Sequence, residues 1–410
     1  MEWNPIITDI NSVKYREKLS DISGVLQKEL SNLKFMGLLG GKIGIALFFF
    51  YYGRLTGEEK YFDLGFELVS SVVEKLDGFH FNTFAKGQAG VGWALEHLSQ
   101  NEFMDIETND MFADLDIFLY NKMEAELQQG NYDPFHGAIG YGTYFLSRLE
   151  EVKTNERLAG LVDGLEKLAR KQEDAAPGAL TWETIVNPGH PEQKFSGVNT
   201  GLIHGVSGIM AVLAKIYSQG IYKQKVLELL NGAVGYLLKQ SLDKNIFSSC
   251  FPIWIKEGTP TVSGGYTLSY GDICISLALW QAAIAAGNNE WKEKAIDTML
   301  YSVTRTGVNK YINDGSLTIG TSGIAHVYGR MYNYTGMDVF KKAAQQWWDE
   351  TLKMAKHPDG FAGFKAWRGV RVNRRDKELG IVEGIAGIGL ALISAISPIE
   401  PAWDRCFLIG

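Results

Sequence analysis

The chain has few cysteines and no apolar run long enough to cross a membrane. Cys250, Cys274 and Cys406 are its only three cysteines in 410 residues, and a small, odd, widely spaced set excludes a disulfide framework. The longest apolar run, Ile43 to Tyr52, is interrupted by Gly44 and is too short for a membrane span. We therefore expect a cytoplasmic protein without a membrane span.

Basic charge and targeting signals are also scarce. The 40 Lys and Arg residues are outnumbered by 47 Asp and Glu residues, which gives a net charge of −7, whereas a nucleic-acid-binding surface is normally basic. The N-terminal residues MEWNPIITDINS contain neither the basic nor the apolar segment of a signal peptide. We therefore expect no nucleic-acid partner. The 46% of apolar and 21% of charged residues are typical of a globular protein with a large core.

One short pattern, Gly-x-x-Gly, recurs seven times along the chain. Only the fifth copy has lost its second glycine, which is replaced by Cys274. The copies occupy residues 41–44, 87–90, 137–140, 205–208, 271–274, 320–323 and 384–387. Each is followed by an apolar stretch of helical length, which is typical of a helix buried on most sides. Repetition of this kind predicts one structural unit used seven times.

Polar, amphipathic segments lie between these apolar stretches and predict a second set of helices with one face in water. They occupy residues 14–33, 58–76, 110–128, 156–172, 222–240, 290–306 and 338–355. Buried helices alternating with amphipathic ones predict an all-α fold, an α/α toroid with an inner and an outer ring. We expect one such domain over residues 1–410.

Three long loops interrupt the repeats, and long loops in compact domains are usually functional. We expect them to cover the central pocket; they span residues 174–200, 246–268 and 357–382. Their aromatic residues either line a peptide groove or anchor the loops on the rim: Trp182, Trp254, Phe361 and Trp367. The arginine-rich segment 367–377 either receives an acidic leader peptide or is a solvated loop.

Several segments resemble the lanthionine synthetase C-like family over residues 37–409. NYDPFHGAIGYG at 131–142 resembles its Tyr-Asp-x-x-x-Gly-x-x-Gly segment, and GLIHGVSGI at 201–209 resembles its Gly-Leu-x-His-Gly-x-x-Gly-Ile. SYGD at 269–272 is similar to the end of its Trp-Cys-Tyr-Gly motif, and LTIGTSGIAHVYGRMY at 317–332 to its Cys-His-Gly-x-x-Gly segment. The resemblance implies an α/α toroid.

The resemblance also implies a chemistry, the addition of a cysteine thiol of a precursor peptide to dehydroalanine or dehydrobutyrine, which closes a thioether ring. Asp133 and His204 fall on the family's acid/base residues, and Tyr270 on the tyrosine of its zinc-site motif. The implied substrate is a dehydrated precursor peptide, and a dehydratase is the partner that such chemistry suggests.

The zinc ligands that the resemblance implies are missing. Their positions hold Ser269, Thr318 and Ile319, and Gly265 replaces an arginine of the family. A catalytic zinc needs three protein ligands with lone pairs, which isoleucine lacks. We therefore predict no metal and no other cofactor.

A displaced metal site is the open alternative. It would be built from Cys274, His326 and a carboxylate such as Asp272. Against it, a buried thiol more often behaves as a small apolar group.

Three functions stay open. The first is a zinc-independent cyclase that uses Asp133, His204 and Tyr270. The second is an inactive toroid that binds a precursor peptide or partners a modifying enzyme; Asp133 then simply caps a helix, and His204 bonds a neighbouring turn. The third is a glycosidase with paired carboxylates, drawn from Asp133, Asp272, Asp314 and Glu383.

Overall fold

The computed structural model describes residues 2–8, 12–76, 78–174, 176–186, 195–256, 259–261, 266–305, 309 and 311–410. The chain forms two compact units. The first contains residues 1–106, 306–405 and 410, and the second contains residues 107–305 and 406–409. The predicted single domain over 1–410 stays a prediction.

The first unit is built from helices, with two short strands in its last loop. Its helices are α1 Val13–Glu29, α2 Lys42–Thr56, α3 Glu59–Val73, α4 Gln88–Gln100, α13 Thr321–Thr335, α14 Asp338–Met354, α15 Gly369–Val372 and α16 Ile385–Ile396. Strands β7 (Ala366–Trp367) and β8 (Arg375–Asp376) pair antiparallel. In this unit α2 packs against α3, α4 and α16, and α13 packs against α14 and α16.

The second unit is also helical and adds two small sheets. Its helices are α5 Thr108–Met111, α6 Ala113–Gln128, α7 Ala138–Ser147, α8 Thr154–Leu168, α9 Val206–Ser218, α10 Lys223–Lys239, α11 Asp272–Ala286 and α12 Asn289–Val303. Its strands are β1 Arg170–Lys171, β2 Leu180–Thr181, β3 Thr184–Val186, β4 Phe195–Asn199, β5 Trp254–Lys256 and β6 Thr259–Thr261. Here α9 packs against α7, α10 and α11.

The seven repeats are confirmed as helix starts. Helices α2, α4, α7, α9, α11, α13 and α16 each begin at the residue after the first glycine of a repeat. These helices are buried nearly all round, and α16 is buried along its whole length. The amphipathic segments form α1, α3, α6, α8, α10, α12 and α14, which bury one face, as α14 does with Trp347, Trp348 and neighbours at helical spacing.

The second glycine of the repeat is required by a close backbone contact. The residue three before the first glycine turns its carbonyl oxygen onto the second glycine, so that a Cβ at Gly44, Gly90, Gly208 or Gly387 would overlap this oxygen. Each helix thus begins with its backbone packed on the loop that precedes it. Any side chain at this position would push the loop away from the helix.

The fifth repeat, which lacks this glycine, has a different turn. The first glycines of the other repeats have extended backbones, whereas Gly271 has φ +87°, a conformation that favours glycine. Cys274 occupies the second position, and its buried thiol donates to the Gly271 carbonyl at 3.2 Å. The repeat whose sequence differs from the others, through Cys274, therefore also has a different backbone conformation at its first glycine.

Three predicted elements differ from the structure. The segment 156–172 is helical only to Leu168 and ends in strand β1. The segment 110–128 contains two helices, α5 and α6, because Phe112 ends the first and precedes the second. The segment 14–33 is α-helical only to Glu29 and continues as a 3-10 turn over Leu30–Asn32. None of the described helices is both long and apolar enough to span a membrane.

The long loops contain strands that the repeat pattern did not indicate. Strands β3, β4, β5 and β6 form a four-stranded antiparallel sheet that joins the loops 174–200 and 246–268. The parts at 187–194 and 262–265 lie outside the described residues. The sheet brings Asn199 at the end of β4 beside Trp254 of β5.

We expect the substitution Gly90→Ala to destabilise the protein, because it disturbs the close contact between this glycine and the loop. In Gly90→Ala the new Cβ would overlap the Phe84 carbonyl oxygen and lie 2.9 Å from Cβ of Leu38. Overpacking of this kind should lower the free energy of unfolding by about 1–3 kcal/mol. Urea-induced unfolding, followed by circular dichroism, measures this change in the free energy of unfolding.

The matched control is Gly24→Ala, in α1 of the same unit, where no heavy atom lies within 4 Å of the new Cβ. Alanine should stabilise this helix by up to about 1 kcal/mol. Equal destabilisation by both substitutions would mean that the contact at Gly90 is unimportant.

Candidate functional site

Asp133 lies in the turn that precedes α7, where both of its carboxylate oxygens accept hydrogen bonds. Oδ1 accepts from the backbone N–H groups of Phe135 at 2.8 Å and His136 at 2.9 Å. The alternative that Asp133 caps α7 is wrong, because Gly137 is the N-cap and no side chain caps this helix. The two backbone bonds instead fix the orientation of the carboxylate, so that Oδ2 faces away from the turn.

His204 lies in the turn that precedes α9, and Oδ2 of Asp133 is its partner. The distance from His204 Nδ1 to Oδ2 is 2.5 Å. Because a carboxylate only accepts, Nδ1 carries the hydrogen, and Nε2 of the neutral ring keeps its lone pair. The side chain is 34% exposed, and no hydrogen bond joins Nε2 to any residue that the structure describes. The structure therefore brings Asp133 and His204 together and leaves Nε2 without a hydrogen-bond partner among the described residues.

The backbone at His204 is held by a short chain of hydroxyl groups. Tyr132 donates to Oγ1 of Thr184 over 2.5 Å, and Thr184 donates to the His204 carbonyl oxygen over 3.2 Å. The Phe135 ring meets the imidazole edge to face at 6.2 Å. These contacts restrict the imidazole on the side opposite to its exposed nitrogen.

The electrostatics of the pair keep Asp133 ionised. Burial raises the pKa of this carboxyl, but the hydrogen bond from His204, its charge when protonated and the two backbone N–H groups together bring the pKa below its ordinary value. An ionised Asp133 holds the imidazole in one tautomer and stabilises an imidazolium. This is the role of an orienting carboxylate beside a general base.

Tyr270, the third residue singled out in the sequence, lies close to the pair. Its ring centroid lies 6.3 Å from that of His204, and the two rings are inclined by 35°. Burial and then the charge of Asp133 raise the pKa of Tyr270 to about 12, although a hydrogen bond with the Asn199 side chain lowers it. At neutral pH Tyr270 is therefore a phenol, which can donate a hydrogen bond but cannot act as a base.

The residues at the family's zinc positions do not fit a zinc ion. Ser269 and Thr318 are buried, and the Thr318 hydroxyl donates to the Val382 carbonyl oxygen over 3.0 Å. Ile319 has no donor atom, and neutral hydroxyls are not the thiolate and imidazole ligands that zinc prefers. Gly265, at the arginine position, lies outside the described residues.

The residues of the displaced metal site are engaged elsewhere. Burial raises the pKa of Cys274 to about 12, so its thiol stays protonated. The Asp272 carboxylate accepts from the backbone N–H groups of Cys250 and Phe251, and His326 Nε2 bonds Asp404 at 2.7 Å. Among the described residues, no group of three or more His, Cys, Asp or Glu side chains could hold a metal ion.

The remaining candidate carboxylates serve the local structure. Asp314 accepts from Ser316 through Oδ1 and from the Trp367 N–H through Oδ2. Glu383 pairs with Arg368. Asp272 also accepts from Arg305, at 2.8 Å. No described contact pairs any of these carboxylates with Asp133.

The arginine-rich segment carries less free positive charge than its sequence indicates. Arg368 binds three carboxylates, those of Asp376, Glu378 and Glu383. Arg374 also pairs with Asp376, at 2.8 Å. Arg368 and Arg374, two of the five basic residues of the segment, are thus paired with nearby carboxylates, which favours the solvated-loop interpretation.

One of the loop aromatics is a structural anchor. Trp182 is fully buried, and its indole nitrogen donates to the Leu165 carbonyl oxygen over 2.8 Å. Trp254 and Trp367 are half-buried, and Arg375 lies over the Trp367 ring at 5.0 Å. Trp182 thus anchors its loop on α8 and does not line a groove.

Asn199, Thr184 and Tyr132 complete the site but were not predicted. Asn199 stands six residues before Gly205, and its side-chain Oδ1 accepts a hydrogen bond from the Gly201 N–H at 2.8 Å. Only its place before a glycine turn could have drawn attention to it. Thr184 belongs to β3, whose pairing no sequence pattern indicated.

Comparison with known proteins gives one family and one fold. The model of the family described as lanthionine synthetase C-like protein matches residues 36–408. Nisin cyclase has a similar structure, with 17% identity and a TM-score of 0.73 over 97% of this chain and 98% of that chain. This similarity shows the fold class, which is all-α, an α/α toroid. No curated protein matches the chain.

Two sugar-converting enzymes are more distant. The first is a cellobiose 2-epimerase from Bacillus thermoamylovorans B4167, with 12% identity and a TM-score of 0.44 over 93% of this chain and 98% of that chain. The second is a sugar epimerase from a ruminal bacterium, with 9% identity and a TM-score of 0.42 over 93% of this chain and 97% of that chain. Similarity at this level carries no argument about this chain.

The lowered pKa of Asp133 predicts how its contribution to stability depends on pH. A carboxyl whose pKa is lower when folded stabilises the fold above its unfolded pKa, about 3.9, and loses this contribution as the pH falls through the folded value. Asp133→Asn should therefore lower the free energy of unfolding by about 1.5–3 kcal/mol at pH 5. The difference in the free energy of unfolding between the wild type and Asp133→Asn should become smaller toward pH 3.

Urea unfolding of both proteins at pH 5, 4 and 3 measures this difference. The control is Asp63→Asn, an exposed aspartate of α3, which should change stability little at any of these values. A difference for Asp133→Asn that stays constant or grows toward pH 3 would contradict the ionised, hydrogen-bonded carboxylate.

Proposed function

Because the chain belongs to the lanthionine synthetase C-like family, we propose that it acts on a dehydrated precursor peptide in the cytoplasm. The reaction adds cysteine thiols to dehydroalanine or dehydrobutyrine and forms thioether rings by acid/base catalysis without zinc. The observation that carries the proposal is the 2.5 Å hydrogen bond between Asp133 and His204, which leaves Nε2 of the partly exposed imidazole without a partner among the described residues.

The pair supplies the proton transfers of this addition. Nε2 of His204 removes the thiol proton while the sulfur bonds to the β-carbon of the dehydroamino acid. The electron pair of the C=C bond moves toward the carbonyl oxygen and gives an enolate. The imidazolium then returns the proton to the α-carbon, so that S–H has added across the double bond with no leaving group.

Asp133 and Tyr270 support the two charged species of this reaction. The ionised Asp133 stabilises the imidazolium through its bond to Nδ1. Tyr270, a phenol at neutral pH, donates a hydrogen bond to the developing enolate oxygen. Donors placed where negative charge develops are worth about 10²–10³-fold in rate.

The loss of zinc is compatible with this chemistry. A free cysteine with a pKa of about 8.5 needs roughly 2 kcal/mol to ionise at pH 7, and a positioned base contributes about 10²–10⁴-fold. Neither Ser269, Thr318 nor Ile319 offers a thiolate or imidazole, so no step passes through a metal. The base takes over the ionisation of the thiol.

A second function is favoured by the same loss. Without zinc no described group holds the attacking sulfur, and a toroid that had abandoned catalysis would keep only its peptide-binding role. It would present the precursor peptide to a dehydratase or another modifying enzyme. The exposed His204 would then recognise a peptide group and transfer no proton.

We expect His204→Asn and Asp133→Asn to lower the rate of ring formation, by about 10²–10⁴-fold for His204→Asn. The first removes the base and the second removes the charge that stabilises its protonated form. The measurement is loss of free thiols from a dehydrated, cysteine-containing precursor peptide, counted by alkylation and mass spectrometry.

The control for this experiment is His80→Asn, an exposed histidine of the other unit, which should form rings at the wild-type rate. Wild-type rates in both Asp133→Asn and His204→Asn would overturn the catalytic assignment. If the wild-type protein binds the peptide but consumes no thiols, the binding function is correct.

We expect ring formation to survive removal of divalent metals. Dialysis against a chelator should leave the rate within about twofold, because the donor set at Ser269, Thr318 and Ile319 cannot retain zinc. Elemental mass spectrometry of the same samples reports the zinc content. Stoichiometric zinc together with a chelator-sensitive rate would show that a metal site exists elsewhere in the chain.

A further inference from the structure

Two consecutive residues of the turn before α7 hold His204 at different points. Asp133 accepts from Nδ1 of the imidazole at 2.5 Å. Tyr132 reaches the main chain of His204 through Thr184. The Tyr132 hydroxyl lies 2.5 Å from Oγ1 of Thr184, and this Oγ1 lies 3.2 Å from the His204 carbonyl oxygen. The third repeat thus holds both the ring and the backbone of a residue of the fourth repeat.

The direction of each hydrogen bond in this chain follows from the groups themselves. A carbonyl oxygen only accepts, so the single hydroxyl hydrogen of Thr184 is directed to His204. The Thr184 oxygen is left to accept, and Tyr132 must donate to it. Burial raises the pKa of Tyr132 well above its ordinary value, so its phenol keeps this hydrogen. The chain therefore has one orientation, from Tyr132 through Thr184 to His204.

Thr184 is held in place by contacts outside both turns. It is the first residue of β3, where it lies opposite Gly197 of β4. Two residues earlier, the buried Trp182 donates to the Leu165 carbonyl oxygen of α8 at 2.8 Å. The Thr184 hydroxyl is therefore carried by a paired strand and an anchored loop, and it meets the turn of His204 from a fixed direction.

We propose that Thr184 is a positioning residue, which fixes the main chain of His204 so that the imidazole stays on Asp133 with Nε2 toward the substrate. This role rests on the proposed function, because His204 is the base of that reaction. Without the hydroxyl, the backbone at His204 would lose its bond to the strand, and the ring would move with the backbone. A displacement of about 1 Å in such a group can cost about 10²-fold in rate.

Thr184→Val tests this role, because valine has nearly the shape of threonine without its hydroxyl and is favoured in strands. It leaves the Tyr132 hydroxyl and the His204 carbonyl without their partner. The kcat for ring formation from a dehydrated, cysteine-containing precursor peptide should fall by about 10–10²-fold. KM should stay within about twofold, since the lost contact is not one to the peptide. Thr184→Ser keeps the hydroxyl and should restore most of the rate.

The matched control is Thr335→Val at the end of α13, in the other unit. The Thr335 hydroxyl also has two partners, because it donates to the Met331 carbonyl oxygen at 2.6 Å and accepts from the Met337 N–H at 3.2 Å. Both threonines are half-buried. The control should leave kcat unchanged. A full kcat in Thr184→Val, or a Thr184→Ser protein as slow as Thr184→Val, would overturn the proposal.

A second readout does not depend on activity. The short bond from His204 Nδ1 to Asp133 is charge-assisted, and its proton should resonate far downfield in the NMR spectrum. The downfield signal that is absent in His204→Asn belongs to this proton. Thr184→Val should move the signal upfield or broaden it, whereas Thr184→Ser and Thr335→Val should not.

The NMR result separates the positioning role from the proposed function. A signal that is absent from the wild type, or unmoved in Thr184→Val, overturns the positioning of His204 whatever the enzyme does. A signal that moves in a protein that forms no rings supports the positioning role and rejects the proposed function.

Discussion

The contact between a loop carbonyl oxygen and the second glycine, seen in four of the seven repeats, is the constraint on which the placement of those loops depends. At Gly44, Gly90, Gly208 and Gly387 the loop packs so closely that a Cβ would overlap the carbonyl oxygen. Because the loop lies on the first turn of its own helix, every loop residue before that helix acquires a fixed place. Long-range contacts such as those of His204 with Thr184 and Asp133 then orient the side chains of these turns.

The candidate site is built mainly on the turns that precede α7 and α9 in the second unit. Helices α7 and α9 pack together, and a Cβ on Gly208 would come within 3.1 Å of Cγ of Pro134. Pro134 follows Asp133, so this contact sets the distance from Asp133 to His204. Tyr270 enters from the fifth repeat, whose turn deviates because Gly271 has φ +87° and Cys274 replaces the second glycine. The repeat that breaks the pattern thus places the residue that completes the site.

The sequence predicted the helices more completely than it predicted the candidate site. All seven starts of the buried helices were predictable, because the first glycine of a repeat directly precedes each of them. Asp133, His204 and Tyr270 were singled out only through the family resemblance, and the structure brings the three side chains close together. The place of Asn199 opposite Trp254 was not predictable, since it depends on the pairing of β4 with β5. The division of the aromatic loop residues into anchors and half-buried rings also needed coordinates.

The remaining question is how a thiol would be held where no metal is bound. Ionisation is the smaller demand, about 2 kcal/mol at pH 7, and a base oriented by Asp133 meets it. Positioning can be worth up to about 7–11 kcal/mol, and neither His204 nor Tyr270 holds a sulfur. The peptide must therefore be oriented by contacts away from its reacting atoms, and binding energy is converted into rate in this way. The cyclase and the peptide-binding protein thus need the same peptide surface, and only proton transfer at His204 separates them.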